Sequence, residues 1–234
     1  MNRAIAEALR LTNATLATLQ GTPVGAATDA KAQLAYLCGV LSATAAAQLL
    51  AADPNAIVGS TYWSGLQACF EQARVAGATY ETMDAVRVLV PTFKPLATNL
   101  GAMISNFVMR MTLVEQAQIL SARAFTSRTE VDSYIDRIMA SFGAAIDVAA
   151  ANMDTGVYVA LVKLQSAVVA DLTARAAPLP SIVAATFPRP LPALLIAQAL
   201  FQDPTQVAAI VAMNSVPHPA FMPTSLKVLS SAAA

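Results

Sequence analysis

Large apolar side chains recur at helical spacing through much of this chain. The clearest run follows Ser127 and places one apolar residue at every third or fourth position: Val131, Ile135, Ile138, Phe142 and Ile146. Because residues at this spacing share one face of a helix, the run predicts an amphipathic helix. Ser127 and Glu130 at its start have the spacing of a capping box, in which each side chain bonds to a backbone N–H at the other position.

A second run of the same kind begins a few residues later, with Val157, Leu161, Leu164, Val168 and Leu172. Only a short turn near residues 152–155 separates the two runs, so they are predicted to pack as an antiparallel hairpin. The same pattern, interrupted by Pro and Gly, predicts further helices at residues 2–20, 29–52, 61–76, 80–90, 96–123, 190–201 and from 203 onward. Residues 181–187 are rich in β-branched side chains and predict a short edge strand.

These elements predict an all-α fold, an antiparallel helical bundle that ends in an extended, proline-rich arm. The break between Pro91 and Pro95 divides the body into an alanine-rich helical region, residues 1–92, and a region with the hairpin and short helices, residues 93–212. Residues 213–234 are predicted to form the arm. Its prolines at 217, 219 and 223 each remove a backbone donor and fix φ, so a helix cannot continue there.

The composition points to assembly with other protein chains. Hydrophobic residues make up 56% of the chain and charged residues 12%, whereas soluble domains carry about a quarter charged residues. A monomer with so few charges would expose large apolar patches, and such patches usually mark contacts with partners. The chain is therefore predicted to work as a component of an assembly, as a homo-oligomer.

Charge and apolar patterning also bear on nucleic-acid and membrane partners. The chain has 14 basic and 14 acidic residues, a formal net charge of zero, which argues against a dedicated nucleic-acid binder with a basic face. Residues 32–52 carry no charge, but Leu34, Leu41 and Leu49 keep a helical stripe among polar side chains. This pattern favours a buried bundle helix over a membrane span, and no membrane partner is expected.

The sequence offers few groups for catalysis or for holding a cofactor or metal ion. Phosphate-binding glycine loops and zinc or calcium motifs are absent from it. The single histidine, His218, lies between two prolines in a segment predicted to be extended, which does not favour a role in a catalytic triad. Cys38 and Cys69 lie in apolar helical patterns and are predicted to be buried free thiols. We therefore predict that the chain is not an enzyme and that it uses no cofactor and no metal.

Several segments, taken in order, resemble one family of phage proteins. They are residues 113–117, 124–130, 171–176, 191–197, 201–203 and 214–229. In this order they are similar to the helical C-terminal part of the phage Mu-type DNA circularisation proteins, which are components of contractile tails and baseplates. The chain departs from the family in three respects. It has nothing like the β-rich domain with which members usually begin, Met213 stands where they have arginine, and Ala220 stands where glycine is typical.

The resemblance implies a structural role in a contractile phage tail, at the baseplate hub or the distal tail tube. The partners would be other tail or hub proteins and further copies of the chain. The protein would be made in the host cytoplasm and located in the virion. Two alternatives stay open: a DNA-bridging protein that circularises the genome, as the family name implies, and a tape-measure-like, membrane-active tail protein. The expected assembly motif lies in the arm and comprises Asn214, Pro217, His218, Pro219, Phe221, Pro223, Leu226 and Leu229.

Overall fold

The computed structural model describes residues 3–21, 28–51, 61–93 and 98–230. Within these residues the chain forms nine α-helices and one two-stranded sheet, which confirms the prediction of an all-α fold. The helices are α1 Arg3–Gln20, α2 Thr28–Ala51, α3 Thr61–Val75, α4 Tyr80–Leu89, α5 Asn99–Ala122, α6 Arg128–Ala151, α7 Thr155–Ala176, α8 Ala193–Phe201 and α9 Val207–Asn214. The strands are β1 Ile182–Thr186 and β2 Ser225–Leu229.

Most helix ends lie close to the predicted ones, and local capping explains where they differ. Helix α5 begins at Asn99, three residues later than predicted, because the Thr98 hydroxyl accepts a hydrogen bond from the Gly101 N–H at 3.1 Å. Helix α8 begins at Ala193 because Pro192 has extended backbone angles at the N-cap position. The interruption predicted between the helices at residues 29–52 and 61–76 lies outside the described residues.

The backbone packs into two compact units, and α6 and α7 contribute to both. The first unit comprises Met1–Arg123 and Ser141–Leu161, and the second comprises Ala124–Ala140 and Val162–Ala234. This division differs from the three predicted regions 1–92, 93–212 and 213–234. The proline break near Pro91 lies inside the first unit because α4 and α5 pack against each other across it.

Five helices of the first unit share one apolar core. Helix α2 packs on α3 and on α1, and α5 packs on α1 and α4. The core includes Trp63, which is 8% exposed and lies with its ring centroid 4.5 Å from that of Phe107. The thiols of Cys38 and Cys69 are also buried there, as predicted. Small side chains let these helices approach closely, which suits the alanine-rich sequence.

One polar contact in this core is closed off from water. The Tyr62 phenol is fully buried, and its oxygen lies 2.6 Å from the Thr12 hydroxyl oxygen. Thr12 in turn donates to the Ala8 carbonyl at 2.7 Å. Burial raises the pKa of Tyr62 to about 12 because the charged phenolate would lose its hydration. The hydrogen bond to Thr12 satisfies the buried hydroxyl, so the core retains this polar pair.

The second unit is built around the small sheet and the two short helices. Strands β1 and β2 pair antiparallel, with Ala184 opposite Lys227, which confirms the predicted strand at residues 181–187. Leu226 and Val228 point from β2 into a core with Ala193, Ile196 and Ile210 of α8 and α9. One contact between α6 and α7 lies in this unit, where the Gln165 side chain donates to the Met139 sulfur at 3.4 Å.

Helices α2 and α7 are long and have few fully buried residues. By length and composition alone, Thr28–Leu49 and Thr155–Ala176 could each cross a membrane. In the first, 28% of the apolar window is buried, and the predicted leucine stripe packs into the core. In α7 the buried share of the window is 11%. The exposed side of α7 includes Tyr158 and Val159, which are each 41% exposed.

Candidate assembly surface

Asn214, the first residue of the predicted motif, joins the end of α9 to β2. Its Nδ2 donates to the carbonyl oxygens of Ile210 and Lys227, at 2.8 Å each, and its Oδ1 accepts from the Lys227 N–H at 2.7 Å. Lys227 lies on the edge of β2 that faces away from β1. One side-chain amide thus supplies the donor and acceptor that a neighbouring strand would offer at that position.

The chain leaves α9 through a left-handed residue and then crosses the start of α8. Ser215 has φ 50° and ψ 39° and ends the helix. The Ala193 N–H, which has no partner within α8, donates to the Pro219 carbonyl at 2.7 Å. The Met222 N–H donates to the Leu191 carbonyl at 3.3 Å. Residues 219–222 are therefore held against the N-terminal end of α8.

These contacts correct the prediction that residues 213–234 form an extended arm. The prolines do end helical structure, but α9 continues through Asn214, two residues past the predicted boundary at residue 212. Residues 215–230 then fold back on their own unit. Met222 is 1% exposed and Leu226 is 3% exposed, and both pack in the core of the second unit. Burial of these side chains, together with β1–β2 pairing, outweighs the extended state that the proline spacing favours.

The predicted motif separates into an internal part and an exposed part. Asn214, Leu226 and Leu229 belong to the internal part, which holds β2 in place. The exposed part comprises Pro217, His218, Pro219, Phe221 and Pro223. Phe221 is its largest side chain and is 74% exposed.

Two leucines of α8 are exposed beside the segment that carries Phe221. Leu194 is 56% exposed and Leu195 is 55% exposed, and both directly follow the Ala193–Pro219 backbone contact. We call Leu194, Leu195 and Phe221 the junction patch. Each of the three is more than half exposed, and the Ala193–Pro219 and Met222–Leu191 backbone hydrogen bonds hold their two segments together. Exposed apolar side chains grouped in this way favour a protein partner.

Sequence reasoning did not find the two leucines, although a signal for them was present. Helix α8 reads Ala-Leu-Leu-Ile-Ala-Gln-Ala-Leu-Phe and has a single polar residue. A short helix on the surface of a unit can bury only one side, and here Ala193, Ile196 and Ala197 occupy it. Of the other large apolar residues of α8, Phe201 packs partly against the core, whereas Leu194, Leu195 and Leu200 are exposed.

His218 shapes the turn that presents Phe221. Its Nδ1 accepts a hydrogen bond from the Ala220 N–H at 3.1 Å, and its ring centroid lies 5.7 Å from that of Phe221. An accepting Nδ1 places the proton of the neutral ring on Nε2. Within the described residues, no group of three or more His, Cys, Asp and Glu side chains is placed to hold a metal ion.

The surface therefore combines an internally bonded backbone with exposed apolar side chains. It has the composition of a protein-binding patch, since aromatic and leucine side chains supply large contact areas when a partner excludes water. Comparison with known proteins adds no further assignment: no family model matches this sequence, and no curated protein matches it significantly.

Proposed function

We propose that this protein is a structural component of a contractile phage tail, located at the baseplate hub or the distal tail tube. The resemblance of residues 113–229 to the Mu-type circularisation proteins suggests the setting. The observation that carries the assembly role is the junction patch, in which Phe221, Leu194 and Leu195 are each more than half exposed. In this proposal the second unit docks on a tail or hub protein through that patch.

The fold of residues 215–230 changes how such docking would work. A free arm would have to become ordered on binding, which costs about 0.5–1.5 kcal/mol for each immobilised side chain. Here the backbone is already held by the Ala193–Pro219 and Met222–Leu191 hydrogen bonds. The hydrogen bonds of the Asn214 side chain to Ile210 and Lys227, which we call the Asn214 clamp, hold it as well. A partner therefore meets a surface that is largely formed before contact.

The proposal predicts that polar substitutions in the junction patch block assembly without unfolding the chain. The test uses a phage that lacks this gene and is complemented with Phe221→Ser/Leu194→Ser. We expect the amount of the protein in purified tails, measured by immunoblot, to fall at least tenfold. Its thermal unfolding midpoint should stay near that of the unsubstituted chain, because both side chains are exposed.

The matched control is Val75→Ser, at the end of α3, which removes an apolar side chain that is 60% exposed in the first unit. It should enter tails at the normal level. Normal tails and infectivity with the double substitution would contradict docking through the junction patch. A chain absent from tails in every form would contradict the proposed function itself.

One observation favours a second candidate, a membrane-active tail protein. Helix α7 is long and apolar enough in composition to cross a membrane, and only 11% of its apolar window is buried. If it inserts in a bilayer, the purified chain will float with liposomes, and Val159→Asp will reduce the floated fraction severalfold because a charge is costly in hydrocarbon. Recovery of the unsubstituted chain entirely in the dense fraction would exclude this candidate.

A further inference from the structure

The two edges of the small sheet are protected to different degrees. In β1 the odd-numbered residues face β2: the Ser230 N–H donates to Ser181 and the Phe187 N–H donates to Thr224, each at 2.7 Å. The backbone groups of Ile182, Ala184 and Thr186 therefore point away from β2, since antiparallel pairing alternates. On the opposite edge of the sheet, in β2, the Asn214 side chain forms hydrogen bonds with the backbone N–H and carbonyl of Lys227.

Of the backbone groups on the outer edge of β1, only one at the N-terminal end has a hydrogen-bond partner among the described residues. The Ile182 N–H donates to the Thr129 hydroxyl at 3.1 Å. Among the described residues, nothing bonds the outward backbone groups of Ala184 and Thr186, and both residues are exposed. An edge strand with unpaired backbone groups is a template for another strand, and natural proteins usually block it with charge, proline or a covering element. Residues 182–187 contain neither charge nor proline.

Val183 is more exposed than its neighbours on the same face of β1. Its side chain lies on the face of β1 that carries Ala185 and Phe187, both of which pack against the core of the second unit. Val183 is nevertheless 43% exposed, although its partner Val228 is 3% exposed. The difference arises because β2 covers Val183 on one side and no strand covers it on the other.

We propose that β1 pairs with β1 of a second copy of this chain, antiparallel about a two-fold axis at Ala185. This register places Ala184 opposite Thr186 of the other copy, so the free groups on both strands form four backbone hydrogen bonds. It also places Val183 opposite the other copy's Phe187, a β-branched and aromatic pair of the kind that stabilises sheets. Two identical uncharged strands pair without like-charge repulsion.

The ends of the strand explain why this register is favoured over its neighbours. The next hydrogen-bonded pair in it would join Ile182 to Pro188. Pro188 has no N–H, and the Ile182 N–H is already bonded to Thr129, so the ladder ends there on both sides. A two-fold axis at Ala184 would instead require Ile182 to pair with Thr186 and would break the Thr129 contact.

A ladder this short makes a weak interface, well below the area of about 1,200–2,000 Å² that stable complexes bury. Association is therefore expected at high local concentration, as within an assembly, and a covalent trap is the suitable probe. The interface is separate from the junction patch and does not depend on the proposed tail function.

The test introduces one cysteine at the proposed axis. In Ala185→Cys the two sulfur atoms face each other across a non-hydrogen-bonded pair, whose Cα separation of about 4.5 Å suits a disulfide. Oxidation of the concentrated full-length chain with oxidised glutathione couples the two thiolates and leaves two molecules of reduced glutathione. We expect most of the protein to become a dimer whose disulfide joins position 185 of the two copies, identified by peptide mass spectrometry.

The matched control is Val183→Cys, on the same strand and face, which lies opposite Phe187 and should cross-link at least tenfold less. A second variant, Ala184→Pro, removes only an outward N–H and leaves the β1–β2 hydrogen bonds intact. Added to Ala185→Cys, it should reduce trapping at least fivefold. Equal trapping at positions 183 and 185, preferential trapping by Ala184→Cys, or a folded Ala185→Cys chain that stays monomeric would each overturn the proposal.

Discussion

Replacing Arg74 with alanine is expected to destabilise the first unit by about 3–5 kcal/mol at pH 7. Arg74 Nε lies 2.8 Å from Oε2 of Glu115, whose side chain is 1% exposed in the middle of α5. Without the guanidinium, a carboxylate would remain buried with no opposite charge beside it. That is among the most destabilising situations in a folded protein.

The effect should depend on pH in a definite direction. Burial raises the pKa of Glu115, while the hydrogen bond and charge of Arg74 lower it. Loss of Arg74 therefore raises the pKa of Glu115 further in the folded state. A carboxyl whose pKa is higher folded than unfolded favours folding below its unfolded pKa of about 4.3 and loses that contribution as the pH rises through its folded pKa. The destabilisation by Arg74→Ala should therefore shrink as the pH falls from 7 towards 4.5.

Chemical denaturation of both chains at the two pH values measures this difference. Glu115→Gln in the Arg74→Ala background removes the buried charge and should restore about half of the lost stability or more. The control is Arg87→Ala, which breaks the i,i+3 pair with Asp84, whose side chain is 26% exposed. Ion pairs at i,i+3 on a helix contribute about 0.2–0.5 kcal/mol, and neither partner here is as deeply buried as the Glu115 carboxylate. An Arg74→Ala chain that loses less than the control, or loses the same amount at both pH values, would refute this interpretation of the pair.

Asn214→Ala is expected to destabilise the second unit by about 2–3 kcal/mol, since it removes three hydrogen bonds that are each worth about 1 kcal/mol. Among the described residues, only the Asn214 side chain forms hydrogen bonds with the backbone N–H and carbonyl of Lys227. The same amide also bonds Ile210, so it joins α9 to β2. Loss of the clamp should also let β2 separate from its unit more often. Thermal unfolding measures the first effect, and amide exchange at Lys227 measures the second.

Asn214→Asp gives a sharper version of the same experiment. Aspartate keeps an acceptor for the Lys227 N–H but loses both donors and places its charge against two carbonyl oxygens. It should therefore be no more stable than the alanine variant at pH 7. The exposed Asn152, in the turn between α6 and α7, provides the control, and Asn152→Ala should change stability by less than about 0.5 kcal/mol. If Asn214→Ala behaves like this control, the clamp does not hold the segment.

The helices were predictable because their signals are local. Apolar residues at every third or fourth position from Val131 onward and the cap at Ser127 lie within a few residues of the helix that they specify. In the structure the Glu130 carboxylate accepts from the Thr126 N–H rather than from that of Ser127, a shift of one residue at the predicted cap. The strand at residues 182–186 was also visible from its β-branched side chains.

The candidate surface was only partly predictable because its geometry depends on distant contacts. The sequence identified Asn214 and Phe221 as motif residues but gave no indication that Asn214 would bond Lys227, 13 positions later. The proline spacing correctly predicted the end of helical structure. The return of β2 to β1 depends on partners about 40 residues earlier in the chain, with Leu229 opposite Ile182. Similarly, nothing near Glu115 in sequence reveals its pairing with Arg74.

The central claim is that the C-terminal segment is a folded part of the second unit that presents Phe221, and not a free arm. Amide hydrogen exchange of the purified full-length chain tests this most directly. We predict slow exchange at Phe187 and Ala193, whose N–H groups donate to carbonyls of the segment, and at Met222 and Lys227, whose N–H groups lie in it and donate to Leu191 and Asn214. We predict fast exchange at the exposed Thr224. Exchange at Met222 and Lys227 as fast as in an unfolded peptide would contradict the account.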